Sequence, residues 1–346
     1  MNYIQLEALV ASFGEQKYRA KQLFEGLMQG KRVSAIPVPA PLREKLLEEF
    51  EDEPVKIRET FVSQEDGTKK YLFELADGNL IEGVFMRYKY GNTQCVSTQV
   101  GCRMGCKFCA STLAGLVRNL SAGEILSQIL VVNRVEGGSL KDRAVTNIVL
   151  MGSGEPFDNY DEVVKFLRNV SADGGIRISP RNISLSTCGL VPEIRRFALE
   201  GLPVNLTVSL HAATDAERKK IMPIANAYSL DEILAACADY FEKTGRRYIF
   251  EYTLIAGENC DREHALALAK LLAGRPCHVN LIRLNEVKER TLAAADEKAA
   301  YRFLGVLEEN GISATLRRSL GSDIGGACGQ LRASYIEKHG EKHDED

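Results

Sequence analysis

"GCRMGCKFCA", residues 101–110, places three of the chain's nine cysteines in one short loop, spaced C-x3-C-x2-C, with Phe108 directly before the last of them. Structural zinc takes four protein ligands in paired knuckles, and no second Cys or His pair stands nearby at suitable spacing. A 4Fe–4S cluster also takes thiolates, and three of them leave one iron free to bind something else. Cys102, Cys106 and Cys109 are therefore the candidate metal ligands; zinc with three protein ligands stays open on spacing alone. An odd number of cysteines in a 346-residue chain argues for metal or redox chemistry rather than a disulfide framework.

The flanking pattern sets the fold. "CVSTQV" reads as the strand leading into the cysteine loop, and "NIVLM", "NISLST", "VNLTVSL", "YIFEYTLI", "CHVNLIRL" and "ISATLRR" follow as apolar, β-branched runs with helical segments between them. Ser121 with Glu124, Asn159 with Glu162, and Ser229 with Glu232 read as capping boxes, and Pro192 as a first-turn proline. This rhythm is an α/β fold: a parallel sheet with outer helices, either open and doubly wound or a full or partial barrel. The chemically useful residues then fall at strand C-terminal ends, the ligand-binding face of such folds: the cysteine loop, "GSGEP" (152–156), Ser186, Ser209 to His211, and Asn285. "GSGEP" lacks the third glycine of a dinucleotide fingerprint.

Ahead of the core, residues 1–52 read as a small helical head, and residues 53–94, with turns at "EDGT", "ADGN" and "KYGN", as an antiparallel β extension. The core is expected over 95–335, and 336–346 as a charged, disordered tail. The net charge of −3 carries no global nucleic-acid signal, and "EKHGEKHDED", with five acids against two lysines, accounts for all of it. Local basic groups remain at Lys17, Arg19 and Lys21, at Arg246 and Arg247, and at Arg317 and Arg318. No apolar run is long enough to span a bilayer and the N-terminus carries acidic residues, so a cytoplasmic protein without membrane contact is expected.

The cysteine loop, with its aromatic residue before the last cysteine, resembles that of the radical S-adenosylmethionine (SAM) enzymes. In that superfamily the unligated iron of a 4Fe–4S cluster holds SAM and the fold is a partial (βα)6 barrel. The series "CVSTQVGC", "CKFCAS", "RNLSAGEI", "MGSGEPFDN", "RNISLSTCG", "SLHA", "HVNLIRLN" and "DIGGACGQL" is similar, in order and over most of the chain, to the RNA adenosine methyltransferases of the RlmN and Cfr type. That resemblance implies methylation of carbon 2 of adenosine in 23S rRNA and in the tRNA adenosine beside the anticodon, with two SAM molecules and a methylated cysteine.

The resemblance also implies residue roles. Cys328 carries the methyl group, Cys95 resolves the covalent adduct, and Glu82 takes the ring proton. Gly154, Glu155, Ser186, Ser209, Leu210, His211 and Asn285 bind SAM. The helical head contacts RNA through phosphates, and flavodoxin or ferredoxin supplies electrons to a monomeric enzyme. Cys188, Cys237, Cys260 and Cys277 match no role and are expected to be packing residues. The chain departs from the family pattern where Gly325 and Gly326 replace a usual Asp and Ala, where Gly83 follows Glu82, at Ser153, and at Cys188. Two alternatives remain: a Cfr-like enzyme acting on carbon 8, from which "GEPFDN" points away, and a non-catalytic zinc RNA-binding protein.

Overall fold

The computed structural model describes residues 3–330; the expected tail, 336–346, lies outside the described residues. Three helices open the chain, α1 (Tyr3–Ser12), α2 (Lys17–Met28) and α3 (Ala40–Glu49), followed by the antiparallel strands β1 (Val55–Val62), β2 (Lys69–Leu75), β3 (Leu80–Tyr88) and the short β4 (Gly91–Cys95). A small ribbon of β5 (Gln99–Gly101) and β6 (Leu116–Asn119) brackets the cysteine loop.

From β4 onward the chain alternates. Helix α4 (Ala122–Val135) leads to β7 (Asn147–Leu150), α5 (Tyr160–Ser171) to β8 (Ile183–Thr187), and α6 (Val191–Phe197) to β9 (Asn205–Ser209). Helices α7 (Asp215–Ile221) and α8 (Leu230–Thr244) precede β10 (Tyr248–Leu254), α9 (Arg262–Leu272) precedes β11 (Cys277–Arg283), and α10 (Glu297–Glu309) precedes β12 (Ala314–Leu316). The sheet order is β1-β2-β3-β4-β7-β8-β9-β10-β11-β12, every pair from β4 to β12 being parallel. Six βα units thus form a partial barrel whose β4 edge continues into the antiparallel extension.

Local chemistry explains much of this. Tyr248, Phe250, Tyr252 and Leu254 are fully buried along one face of β10, as the two-residue period of a strand requires. Ser121 and Glu124 form a reciprocal capping box on α4, and Ser229 and Glu232 another on α8. Two expectations need correction. Asn159 does not cap α5: its amide is buried and donates to the carbonyls of Thr98 and Leu120, while Glu162 accepts from the Ala122 amide. Nor is "CVSTQV" one strand; Cys95 ends β4, Gln99 begins β5, and the intervening backbone follows β7 by single hydrogen bonds such as Val96 N–H to Val149 O.

One continuous apolar cluster runs from the head, through Leu23 and Phe24, into the barrel. The extension is clamped to α4 by Glu136, whose nearly buried carboxylate accepts from Lys69 (2.7 Å), Arg87 (3.0 Å) and the fully buried Tyr71 hydroxyl. Removing that acceptor leaves the buried Tyr71 hydroxyl without a partner, while the exposed Arg87 and part-exposed Lys69 return to water. Glu136→Ala is expected to cost about 2 kcal/mol, read as a lower urea midpoint with unchanged slope.

Candidate cluster and cofactor site

A cavity of about 160 Å³ opens at the C-terminal ends of the parallel strands. Cys102, Cys106 and Cys109 line it together with Phe108, and so do Gly154, Glu155, Ser186, Ser209, His211, Asn285 and Cys328. Five separate loops therefore converge, as their strand-end positions led one to expect. Leu210 is the exception. Its side chain is fully buried in the core, its N–H donates to the Glu251 carbonyl, and its own carbonyl accepts from Arg218.

Among the described residues no group of three His, Cys, Asp or Glu side chains is gathered for a single metal ion. The three thiols face a shared cavity instead. Burial pushes Cys102 up to about 12 and raises Cys106 and Cys109 as well, so an iron centre's positive charge is what would ionise them. The remaining donors suit SAM. Glu155 is buried, and burial raises its pKa. One oxygen accepts from Phe157 N–H (3.0 Å) and the other from Cys188 N–H (2.7 Å), with the Thr187 side chain also hydrogen-bonded to the carboxylate, and these bonds hold it on the cavity wall as an acceptor suited to an ammonium group.

The backbone beside Glu155 must run close to its neighbours. A Cβ on Gly152 would lie 2.7 Å from the Val96 carbonyl oxygen, and one on Gly154, whose φ is +109°, would lie 2.7 Å from Gln99 Cβ. Gln99 holds the same turn from its side chain, Oε1 accepting from Glu155 N–H at 2.8 Å. The residues present thus fit a 4Fe–4S cluster and SAM: Cys102, Cys106 and Cys109 would hold the first, Glu155 and its neighbours the second.

Arg218, Glu251 and the cavity-lining place of Cys188 escaped the sequence reading, whereas His211 was expected at the site. Arg218 is fully buried, has no carboxylate partner among the described residues, and donates to the carbonyls of Cys188 (2.6 Å), Ser209 (3.2 Å) and Leu210 (3.2 Å), gathering the ends of β8 and β9. His211 sits at φ 60°, its Nδ1 accepting from Thr253 N–H at 3.0 Å, which assigns the proton to Nε2. Burial, with Arg218 adding to it, lowers its pKa to about 3, so the ring is neutral, and Phe108 meets it edge-on at 4.8 Å. Cys188, expected to be a packing residue, lines the cavity beside Cys106. Glu251, buried on β10, joins Ser186 (3.3 Å) to Arg317 (2.9 Å).

A second, smaller cleft of about 50 Å³ lies on the other side of Cys328. It is lined by Cys95, Val84, Met86, Tyr88, Val149, Arg317 and Arg318, and it shares Met151, Ile282, Asn285 and Cys328 with the first cavity. Cross-strand register explains the cleft. Lys70 pairs with Val84, Val84 with Cys95 and Cys95 with Val149, so these side chains form one row across β2, β3, β4 and β7. Glu82 lies two residues along the same face from Val84, outside the cleft's lining but next to it. It is buried, neither oxygen has a hydrogen-bond partner, and Lys70 Nζ is 3.7 Å away. Burial raises its pKa to about 7, against the opposing pull of Lys70.

The loop bearing Cys328 is tied down at both ends. Gly321 N–H donates to Asp66 and Asp323 accepts from Gln64 N–H, each at 2.9 Å, so the β1–β2 turn holds its start. Ala110 N–H donates to the Gly329 carbonyl at 2.7 Å, and Asn285 to the Cys328 carbonyl at 3.4 Å, at the other end. Cys328 is itself exposed, as a thiol at a cavity mouth is; partial desolvation by the walls on either side raises its pKa, and Arg317 opposes that rise.

Gly154→Ala, strained by its φ and without room for its Cβ, is expected to cost about 2 kcal/mol or more. Gly305→Ala, in α10 with open space around it, is expected to stabilise by about 0.5–1 kcal/mol. Opposite shifts of Tm under the same conditions check both.

The comparisons with known proteins agree with this geometry. The radical SAM superfamily model matches residues 96–269. "Probable dual-specificity RNA methyltransferase RlmN" of Clostridium perfringens (strain 13 / Type A) is 54% identical over 95% of this chain and 94% of its own length. The protein of the same name from Alkaliphilus metalliredigens is 47% identical over 98% and 95%. A crystal structure of a radical SAM methyltransferase from Sphaerobacter thermophilus superposes with a TM-score of 0.91 at 41% identity, covering 96% of this chain and 98% of that one. With the three-cysteine cavity at the barrel mouth and likeness along nearly its whole length, the chain belongs to the RlmN-type radical SAM RNA methyltransferases, enzymes that work with a 4Fe–4S cluster and SAM.

Proposed function

We propose that this enzyme methylates carbon 2 of adenosine in 23S rRNA and in the tRNA adenosine beside the anticodon, with Cys328 as methyl carrier, Cys95 as resolving thiol and Glu82 as general base. The observation that carries it is the position of Cys328 on the wall common to both cavities. One side holds the cluster and SAM donors; the other holds Cys95 and opens beside Glu82.

Carbon 2 of adenine lies between two electron-withdrawing nitrogens and is a poor nucleophile, so direct displacement on a sulfonium methyl fails. Bound in the first cavity, the cluster and SAM supply a methyl group and, with an electron from a flavodoxin or ferredoxin, radical chemistry. The protein's own part is carriage, proton removal and release. Cys328 presents a carbon bound to its Sγ to the second cleft, where the ring meets it. Glu82 accepts the proton from carbon 2, and a carboxylate that ionises near 7 is matched to that task near neutral pH. Cys95 attacks Sγ of Cys328; the new S–S bond forms as the Sγ–C bond breaks, and its electron pair leaves with the carbon, which takes a proton to become the methyl group. The one unpaired electron left by radical addition and proton loss stays on the disulfide until a one-electron carrier such as the oxidised flavodoxin or ferredoxin takes it.

Mass spectrometry of nucleosides from rRNA and tRNA treated with the reconstituted enzyme tests the reading. 2-Methyladenosine from both RNAs is the expected result; 8-methyladenosine, or no methylated adenosine, overturns it. The ionised form of Glu82 is the base, so the proton-removal step should fall about tenfold per pH unit below about 7 and level off above it. Glu82→Gln should abolish the step at every pH, as single-turnover kinetics with carbon-2 deuterated RNA would show.

A further inference from the structure

The second cleft, at about 50 Å³, is too small to enclose a purine; a cavity of about 150 Å³ is what holds a single benzene. The target ring therefore reaches Cys328 and Cys95 only from the mouth, and the groups at the mouth must hold the RNA. Adenosine offers its carbon 2 to a thiol only once it has left a base stack, which costs a few kcal/mol that the protein must offset.

The β3–β4 turn, residues 88–91, forms one lip of that mouth. Tyr88 lines the cleft beside Cys95 and Cys328, and Tyr90 stacks on it with ring centroids 4.9 Å apart and planes 12° apart. Tyr90 is 78% exposed. One face of this aromatic pair is free, and its contact with water is unfavourable, so a flat ring laid on it would be stabilised. Cations stand close by: the exposed Arg318 lines the cleft and Arg317 stands beside Tyr88, while the exposed Lys89 separates the two tyrosines in sequence. Aromatic faces among cations are what unpaired RNA bases and their phosphates recognise.

We propose that the free face of Tyr90 is a stacking platform for an unpaired RNA base next to the target adenosine, extending the Tyr88–Tyr90 stack and holding the strand while the target ring enters the cleft. This rests on the RNA-methylating reading above and adds to it a site for a second base. Tyr88 is the half-buried step of the stack, fixed at the cleft; Tyr90 is the step offered to RNA. Because stacking is sequence-tolerant, the platform contributes affinity for an open loop rather than a base code.

The chain contains no tryptophan, so Tyr90→Trp creates a unique fluorophore on the proposed surface. An RNA hairpin with an adenosine-containing loop should quench its emission and shield it from acrylamide. The same sequence annealed to its complement, with every base already stacked, should do neither. Tyr90→Ala should weaken hairpin binding by roughly 5- to 150-fold, followed by anisotropy of labelled RNA, with Tyr90→Phe restoring it. The Tyr90→Ala ratio should hold constant from low to high salt, since a stacking contact releases no counterions. Unquenched emission from the Tyr90→Trp variant with RNA demonstrably bound, or equal affinities for wild type and Tyr90→Ala, overturns the platform while leaving methylation intact. Failure of wild-type protein to bind or methylate any adenosine hairpin overturns the functional reading as well.

Discussion

The register linking β2, β3, β4 and β7 is the constraint on which the rest depends. Lys70, Val84, Cys95 and Val149 stand in one row because those strands pair as they do. Slipping β3 against β4 by one residue would send Cys95 and Glu82 to opposite faces of the sheet. The antiparallel extension thus sets the geometry: it continues the barrel's edge so that a buried carboxylate and a buried thiol share the surface over which the Cys328 loop lies. A Cβ on Gly325 would come within 3.7 Å of Lys70 Nζ, which shows how closely that loop is laid on the row.

Two halves of the chain, some 255 residues apart, meet at the β1–β2 turn. Asp66 and Gln64 fix the loop's start while Asn285 and Ala110 hold its end. Both anchors matter to the role proposed for Cys328, because a reacting atom displaced by about 1 Å can lose a hundredfold in rate. The loop is therefore positioned by backbone hydrogen bonds at its ends rather than by packing of its own side chains, which are mostly small.

Burial governs the electrostatics of the first cavity, and exposed cations those of the second cleft. The cluster thiols are raised by burial, and His211 is held neutral by burial with Arg218 behind it. On the other side of Cys328, Arg317 and the exposed Arg318 line the second cleft, and Arg317 reaches back to Glu251 on the wall of the first cavity. Arg218 shows the cost of building the first cavity. A buried guanidinium without a carboxylate is unfavourable, and three strand-end carbonyls offset that cost while being fixed by it.

What could be read from the amino-acid order alone was what depends on near neighbours. The three cysteines sit within one loop, the caps at Ser121 and Ser229 act within one helical turn, and the strands announce themselves by composition, so the α/β fold and the ligand face followed. Asn159 had the same local signature as the true caps, yet its amide was claimed by the Thr98 and Leu120 carbonyls, a contact no short window contains. Glu82, Cys95 and Cys328 were legible only through resemblance, because a strand glutamate and two isolated cysteines carry no signal by themselves. Tertiary structure decided that Glu82 is dry and faces Lys70, that Arg218 and Glu251 belong to the site, and that Cys328 stands between two cavities. Each of those facts depends on groups brought together from distant parts of the chain, and burial and pairing exist only once the sheet has closed them against one another.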